Sequence, residues 1–200
     1  MHTFLSLGDS YTIGEGVPLY DGFPYQTVQL LRRAGHSFPA PEIIARTGWT
    51  TDELSAGINR FRLQPPYTVV TLLIGVNNQY RGRTVGEYAL QFEQNLSQAI
   101  QLASTPLRVF VLSIPDWGVS PFAAENGYDG QRIALEIDNF NATAREITVR
   151  HRLPFIDITS HGRNMGAAAG AFTADGLHPA AATYRHWAQL LTQAVAPTLP

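Results

Sequence analysis

The sequence predicts an α/β fold in which helices cover both faces of a parallel sheet, and three observations lead to this prediction. Five short apolar runs, rich in β-branched residues, alternate along the chain with longer stretches of helical periodicity. The runs are apolar at consecutive positions, as in strands that are buried on both faces of a sheet. Strict alternation of strand and helix is typical of a parallel sheet between two helical layers. No linker divides the 200 residues, so we expect one domain over residues 1–200.

The predicted strands are Thr3–Leu7, Glu42–Ala45, Thr68–Ile74, Val109–Ile114 and Phe155–Ile158. The first helix is predicted from Pro24 to Gly35, because proline favours the first turn of a helix and glycine the position beyond its end. Two later helices begin with the spacing of a capping box, Thr50 with Glu53 and Thr84 with Glu87.

The fourth helix is predicted near Gln131–Arg150, and the last is predicted to begin at Pro179. Small residues at Gly166–Ala171 predict a loop or a short turn after the fifth strand. Such a segment is either a mobile lid over a site or an alanine-rich packing turn.

The composition excludes several classes of chemistry. All 14 basic residues are arginine, so a Schiff-base lysine and a Walker phosphate-binding lysine are excluded. Cysteine is absent, which excludes disulfides and thiolate chemistry. Charged residues make up 15% of the chain and the net charge is −2, so we expect no nucleic-acid partner.

The sequence offers no membrane span, metal site or nucleotide site. No apolar run approaches the roughly 18 residues that a membrane span needs. The first predicted strand leaves no room for a signal peptide, so we expect a cytoplasmic protein, with a secreted mature form left open. The histidines show no metal-ligand spacing, and Gly14 and Gly16 lack the third glycine of a dinucleotide fingerprint. We therefore expect neither a metal nor a cofactor.

Ser10 directly follows the first predicted strand, where an open parallel sheet presents functional groups. A serine hydroxyl becomes a good nucleophile only with a base, a group that orients the base, and donors for the developing oxyanion. Taken alone, Ser10 could equally be a helix cap or a turn residue.

Asp175 and His178 lie three residues apart on one short connection. At this spacing the carboxylate can reach the Nδ1 atom of the imidazole while Nε2 points towards a hydroxyl. The alternative is that Asp175 caps a turn and His178 begins a helix.

Gly48 and Asn77 each follow a predicted strand and could complete the site. A glycine N–H can approach a substrate closely, and an asparagine amide is a neutral donor. With the N–H of Ser10 they would form a three-donor oxyanion hole, although turns use the same residue types. All these groups follow strands at carboxyl ends, where ligands of such sheets bind, and this joint pattern favours catalysis.

The chain resembles the SGNH hydrolase family, also called GDSL esterases and lipases, through blocks that occur in order along the sequence. These blocks are Gly8-Asp9-Ser10, Gly48, Gly75-Val76-Asn77-Asn78 and Asp175-Gly176-Leu177-His178-Pro179. The resemblance implies a flavodoxin-like three-layer α/β/α sandwich with a five-stranded parallel sheet in the order 2-1-3-4-5. It also implies Ser10 as nucleophile, His178 as base, Asp175 as its orienting group, and Ser10, Gly48 and Asn77 as oxyanion donors.

One position departs from the family pattern, because Asn78 stands where the third block usually has aspartate. The departure concerns the support of that loop and leaves the donor Asn77 in place. Asp9 is interpreted as a turn-stabilising residue rather than a second catalytic acid. Three aromatic residues that follow strand ends, Trp49, Tyr80 and Trp117, are candidates to line the substrate pocket.

The pattern as a whole predicts a serine esterase that hydrolyses small-molecule carboxylic esters through an acyl-enzyme. A thioesterase, a lysophospholipase or a carbohydrate deacetylase would use the same machinery. A catalytically silent binding protein on a flavodoxin-like sheet, such as a flavin carrier, is the alternative from another class.

Overall fold

A computed structural model of the chain describes residues 1–199. The strands are β1 (Phe4–Gly8), β2 (Glu42–Ala45), β3 (Val69–Leu73), β4 (Val109–Leu112) and β5 (Phe155–Ile156). The helices are α1 (Ser10–Ile13), α2 (Phe23–Arg33), α3 (Thr51–Arg60), α4 (Val76–Tyr80), α5 (Val85–Leu102), α6 (Pro121–Glu125), α7 (Gly130–Arg150), α8 (Thr159–Met165) and α9 (Ala181–Val195). Short 3₁₀ turns lie at Leu19–Asp21, Pro106–Arg108, Trp117–Val119 and Ala196–Thr198.

The strands form one parallel sheet in the order β2-β1-β3-β4-β5, which confirms the three-layer fold and the strand order that the family resemblance implies. α2 packs against α9 on one face of the sheet, whereas α3, α5 and α7 pack side by side on the other. This division follows from the right-handed crossovers of parallel sheets, since only the connection from β1 to β2 runs towards the β2 edge.

The three central strands, β1, β3 and β4, are buried at every position. Their consecutive apolar residues reflect burial on both faces, because each face is covered by a helical layer. The predicted strands match the observed ones to within two residues at each end. The ends differ because Thr3, Thr68 and Ile158 lie where the ladder of backbone hydrogen bonds stops.

The helix boundaries follow the predicted caps, with one exception. Thr50 and Glu53 form the predicted capping box of α3, and the Thr84 hydroxyl accepts the N–H of Glu87 at the start of α5. The last helix begins at Ala181 and not at Pro179. Pro179 bridges to Phe172, and the next residue donates its N–H to the carbonyl of Ala171, so this stretch stays extended.

Candidate active site

The carboxyl ends of β1 and β3 border a crevice at the point where the strand order reverses. The chain leaves β1 towards β2 on one side and leaves β3 towards β4 on the other, and ligands of open α/β sheets bind at such a point. Gly8 of β1 pairs with Ala45 of β2 and with Leu73 of β3, so all three strands end at the same height. The residues that follow them, Ser10, Gly48 and Asn77, therefore emerge at one edge of the sheet.

The turn that carries Ser10 is tightly packed. A Cβ atom on Gly8 would lie 2.1 Å from Thr12 Oγ1 and 2.4 Å from the Leu73 carbonyl oxygen, so only glycine fits at this position. Asp9 caps α1, its Oδ1 atom accepting the N–H of Tyr11 at 3.1 Å. The Ser10 N–H has no hydrogen-bond partner within residues 1–199, which leaves this donor available to a ligand.

Asp9, the neighbour of Ser10, is a fully buried carboxyl group. Its second oxygen, Oδ2, has no hydrogen-bond partner among the residues that the structure describes. Burial raises the pKa of Asp9 to about 8, outweighing the hydrogen bond from Tyr11 that favours the ionised form. The group is therefore protonated at neutral pH and stabilises the turn without adding a charge beside the serine, in agreement with its interpretation as a turn residue.

Asp175 and His178 form a close pair on the connection before α9. His178 Nδ1 lies 2.6 Å from Asp175 Oδ2. The other carboxylate oxygen accepts the N–H groups of Leu177 at 2.8 Å and His178 at 3.0 Å, and the Thr173 hydroxyl at 2.7 Å. Burial alone would raise the pKa of Asp175, but these hydrogen bonds hold it well below its usual range. The carboxylate is thus ionised and can only accept from Nδ1, which leaves Nε2 of a neutral imidazole as the proton acceptor.

Two contacts connect the loop of Gly48 with α4 and the residue that follows it, and a third reaches α3. The Asn77 amide nitrogen donates to the carbonyl oxygen of Trp49 at 2.9 Å. The Arg81 guanidinium donates to the carbonyl oxygen of Gly48 at 2.6 Å and to Glu53 at 3.3 Å. One hydrogen of the Asn77 amide remains available, and the Gly48 N–H is unpaired in the described part of the chain. Both groups can therefore donate to a ligand.

Asn78 stands where the family usually has aspartate, and its side chain supports the loop in that residue's place. Its side chain is fully buried; Oδ1 accepts the N–H of Thr51 at 3.1 Å, and Nδ2 donates to the Thr51 hydroxyl at 2.7 Å. The hydroxyl donates in turn to Gln91 of α5 at 2.5 Å. The amide therefore holds the start of α3 against α4, with its acceptor and its donor both in use.

A cavity of about 190 Å³ opens beside Ser10. Its walls come from the Ser10 turn, from α4, from the Trp117–Val119 turn, from α6 and from the His178 connection. Its lining includes Ser10, Asn77, Tyr80, Trp117 and Phe122, and Leu177 borders it from the connection. The cavity thus joins the serine, the amide of Asn77 and the residue next to His178 in one space.

The structure brings together most of the residues singled out from the sequence, with two qualifications. The indole of Trp49 lies against Gly57 of α3, in the space where a side chain would be, and does not line the cavity as expected. No hydrogen bond joins Ser10 Oγ to His178 Nε2 within the described residues 1–199. The two residues lie in neighbouring parts of the structure, since the ring of Tyr11, the residue after Ser10, is 5.7 Å from the ring of His178. Catalytic hydrogen bonds are often long without a substrate and shorten in the substrate complex.

Sequence reasoning missed four residues of the cavity, namely Tyr11, Val76, Phe122 and Leu177. Tyr11 and Leu177 are direct neighbours of Ser10 and His178, and this adjacency is a usable signal. Phe122 follows Pro121 at the start of a short helix, and nothing in the sequence places it near the serine.

Within the part of the chain that the structure describes, no cluster of three or more His, Asp or Glu side chains is arranged to hold a metal ion. Of the helices in residues 1–199, none has both the length and the hydropathy that crossing a membrane requires.

Solved structures resemble the chain over almost its whole length. The lipase/acylhydrolase from Enterococcus faecalis superposes with a TM-score of 0.77 at 20% identity, covering 100% of this chain and 98% of that chain. TesA superposes with a TM-score of 0.78 at 18% identity, covering 99% and 100%. The acetyl xylan esterase AlAXEase gives 0.74 at 18% identity, covering 96% and 99%. These likenesses establish the fold.

The family is established by the sequence itself. No curated protein is similar enough in sequence to be matched. The GDSL-like Lipase/Acylhydrolase family, however, matches residues 6–186, which include every block from Gly8 to Pro179. The chain therefore belongs to the GDSL-like lipase/acylhydrolase family and is an ester-cleaving serine hydrolase.

Proposed function

We propose that the protein hydrolyses small carboxylic esters through an acyl-enzyme formed on Ser10. The observation that carries the proposal is the Asp175–His178 pair, with 2.6 Å between Oδ2 and Nδ1, on a connection that borders the same cavity as Ser10. A neutral imidazole held in this tautomer presents Nε2 as a base, which is what a serine hydroxyl needs to become nucleophilic.

In the first half-reaction, Ser10 Oγ attacks the ester carbonyl carbon while His178 Nε2 takes the hydroxyl proton. The negative charge that develops on the carbonyl oxygen is held by the N–H groups of Ser10 and Gly48 and by the Asn77 amide. His178 then gives its proton to the departing alcohol, and the acyl group remains on Ser10. The ionised Asp175 stabilises the imidazolium that exists between these two transfers.

In the second half-reaction a water molecule takes the place of the alcohol. His178 accepts a proton from this water, the hydroxide adds to the acyl carbon, and the same three donors hold the second oxyanion. Return of the proton to Ser10 Oγ releases the carboxylic acid. No step needs a metal or a cofactor.

The thioesterase, lysophospholipase and deacetylase alternatives share these steps and differ in the leaving group. The likeness to an acetyl xylan esterase makes acetylated carbohydrates a second substrate class worth testing. A cavity of about 190 Å³ favours compact acyl or alcohol groups over long fatty chains, because its volume is close to the roughly 150 Å³ of a cavity that holds one benzene ring.

The proposal is tested by steady-state hydrolysis of acetyl, butyryl, octanoyl and palmitoyl esters, acetyl-xylose and an acyl-thioester by wild type, Ser10→Ala and His178→Gln. We expect turnover of short esters by the wild type and loss of at least about 10³-fold in kcat in either variant. A Ser10→Ala variant with near-full activity would overturn the assignment of the nucleophile. A folded wild type without activity on any of these substrates would favour the silent binding protein.

A further inference from the structure

Three aromatic side chains, Tyr80, Trp117 and Phe122, line the cavity beside Ser10, and the ring of Tyr128 packs against all three; we call these four residues the aromatic wall. Trp117 lies at its centre, with ring centroids 5.4 Å from Tyr80 and 5.0 Å from Tyr128, both in edge-to-face geometry. Phe122 stacks on Tyr128 at 5.9 Å. Within residues 1–199, none of the side chains that line the cavity is charged.

The centre of the aromatic wall is fixed by two consecutive hydrogen bonds. The Trp117 indole N–H donates to Gln79 Oε1 at 2.8 Å, and Gln79 Nε2 donates to Glu136 of α7 at 2.6 Å. The indole is buried, so its orientation is set before any ligand binds. A rigid wall lowers the entropic cost of binding a flat group.

The rim of the wall is polar and open to solvent. The Tyr80 and Tyr128 hydroxyls lie 3.1 Å apart, and 52% of Tyr80 is exposed. The Tyr80 ring lines the cavity, and the hydroxyl pair of Tyr80 and Tyr128 is exposed. This arrangement admits a neutral group from solvent and offers it ring faces and edges inside.

The size and geometry of the cavity select a single ring. An apolar cavity of about 150 Å³ holds one benzene molecule, and this cavity has about 190 Å³. Aromatic rings attract one another in edge-to-face or offset geometry at centroid distances of about 4.5–7 Å, as the members of the wall already do. A bound ring beside Trp117 can adopt the same geometry. A sugar would instead need polar side chains to pair with its hydroxyls, and few are present.

We propose that the aromatic wall is a subsite for one aryl group of the ester substrate, so that the enzyme prefers esters carrying a single aromatic ring next to the scissile bond. This inference rests on the proposed ester hydrolysis at Ser10. It identifies Tyr80 and Phe122 as specificity-determining residues that contact the substrate ring.

The test compares kcat/KM for aryl esters with that for their saturated analogues, measured by acid release in a pH-stat. Methyl phenylacetate against methyl cyclohexylacetate reports a ring on the acid side, and benzyl acetate against cyclohexylmethyl acetate reports a ring on the alcohol side. We expect the aryl ester to be hydrolysed about 5-fold to 10-fold faster in one of the two pairs. A nitrophenyl ester is unsuitable here because its leaving group is itself an aryl ring.

Matched variants locate the preference. Tyr80→Leu and Phe122→Leu keep an apolar wall but remove an aromatic edge, so each is expected to lower the aryl-to-cyclohexyl ratio towards 1. Tyr20→Leu is the control, since Tyr20 is an exposed tyrosine that does not line the cavity. It should leave the ratio unchanged. Thermal melting of each variant establishes that it is folded.

The outcomes separate this inference from the proposed function. If the wild type hydrolyses methyl acetate through Ser10 but prefers the cyclohexyl ester or neither, the aryl subsite is refuted while the esterase stands. A preference that survives in both Tyr80→Leu and Phe122→Leu also refutes the assignment to the aromatic wall. If no ester is hydrolysed by folded wild type, the proposed function fails and the inference falls with it.

Discussion

Replacing Asp9 by asparagine should change how the stability of the protein depends on pH. Asparagine has the shape of aspartic acid, and its Oδ1 atom can keep the hydrogen bond from the Tyr11 N–H that caps α1. It has no proton to lose. The substitution therefore removes one titration from the folded protein and leaves the packing of the Ser10 turn in place.

The magnitude follows from the shift in the pKa of Asp9. The pKa is about 8 in the folded chain, against about 3.9 when the chain is unfolded. Between these values the folded state keeps a proton that the unfolded state has lost, so the wild type loses stability as the pH rises. The slope is about 1.4 kcal/mol per pH unit. Between pH 5 and pH 7 the Asp9→Asn variant should thus gain about 2.7 kcal/mol relative to wild type.

The assay is urea unfolding of both proteins at pH 5, 6 and 7, followed by circular dichroism. Only the difference in the free energy of unfolding is used, because the other titrating groups are common to both proteins and cancel. Asp157→Asn gives a control that should show no pH dependence in this range. Burial would raise the pKa of Asp157, but hydrogen bonds from Ser160, Thr159 and Ser113 lower it overall. Asp157 is therefore ionised in the folded and the unfolded chain from pH 5 to pH 7, and the difference in unfolding free energy between Asp157→Asn and wild type should stay constant over this range.

A difference between Asp9→Asn and wild type that stays constant from pH 5 to pH 7 would refute the reasoning. It would mean that Asp9 is ionised in the folded protein and that a partner for Oδ2 compensates its burial.

Three further predictions follow from the contacts around the site. Asn77→Ala should lower kcat by about 10²–10³-fold with little change in KM, because it removes an oxyanion donor; a variant with near-full kcat would exclude Asn77 from this role. Arg81→Met should lower kcat by about 10-fold through misplacement of the Gly48 loop, and Arg81→Lys should recover part of the loss; equal kcat in all three proteins would show that the guanidinium is not needed there. Asn78→Ala should cost about 1–3 kcal/mol in urea unfolding because the buried N–H of Thr51 loses its acceptor, while the exposed Asn59→Ala should stay within about 0.5 kcal/mol; similar losses in the two would contradict the role of Asn78.

The sequence predicted the layers of this fold because its central strands are buried on both faces. Val109–Leu112 is apolar throughout and Val69–Leu73 everywhere except at Thr71, so neither run shows the polar alternation of a half-exposed strand. The order of the strands was not contained in that pattern and came from the family blocks. The short helices α1, α4, α6 and α8 were not predicted, since four to seven residues are too few to show a helical period.

The chemistry of the site was easier to predict than its shape. The sequence shows directly that Ser10 follows the end of a strand and that Asp175 and His178 lie three residues apart. The environment of Asp9 and the direction of Trp49 depend on tertiary packing, which local spacing does not show. Trp49 turns towards α3 because Gly57 has no side chain there, and its indole fills that space.

The aromatic wall shows the same limit more clearly. Phe122 reaches the cavity from α6, and Tyr128 packs against Phe122 and Tyr80 from the turn after it, more than 40 residues beyond Tyr80. Their positions depend on the contact in which the Phe122 N–H donates to the Gly176 carbonyl at 3.0 Å. No periodicity or motif in the sequence encodes such a contact between two loops.

The central claim is that Ser10 is a nucleophile activated by His178, and covalent labelling tests it most directly. The protein is incubated with a p-nitrophenyl alkylphosphonate, which mimics the tetrahedral intermediate, and is then examined by intact mass spectrometry and peptide mapping. The account predicts one adduct per chain on Ser10, no adduct in Ser10→Ala, and labelling slowed by at least about 10²-fold in His178→Gln. An adduct on another residue, or equal labelling rates in wild type and His178→Gln, would contradict it.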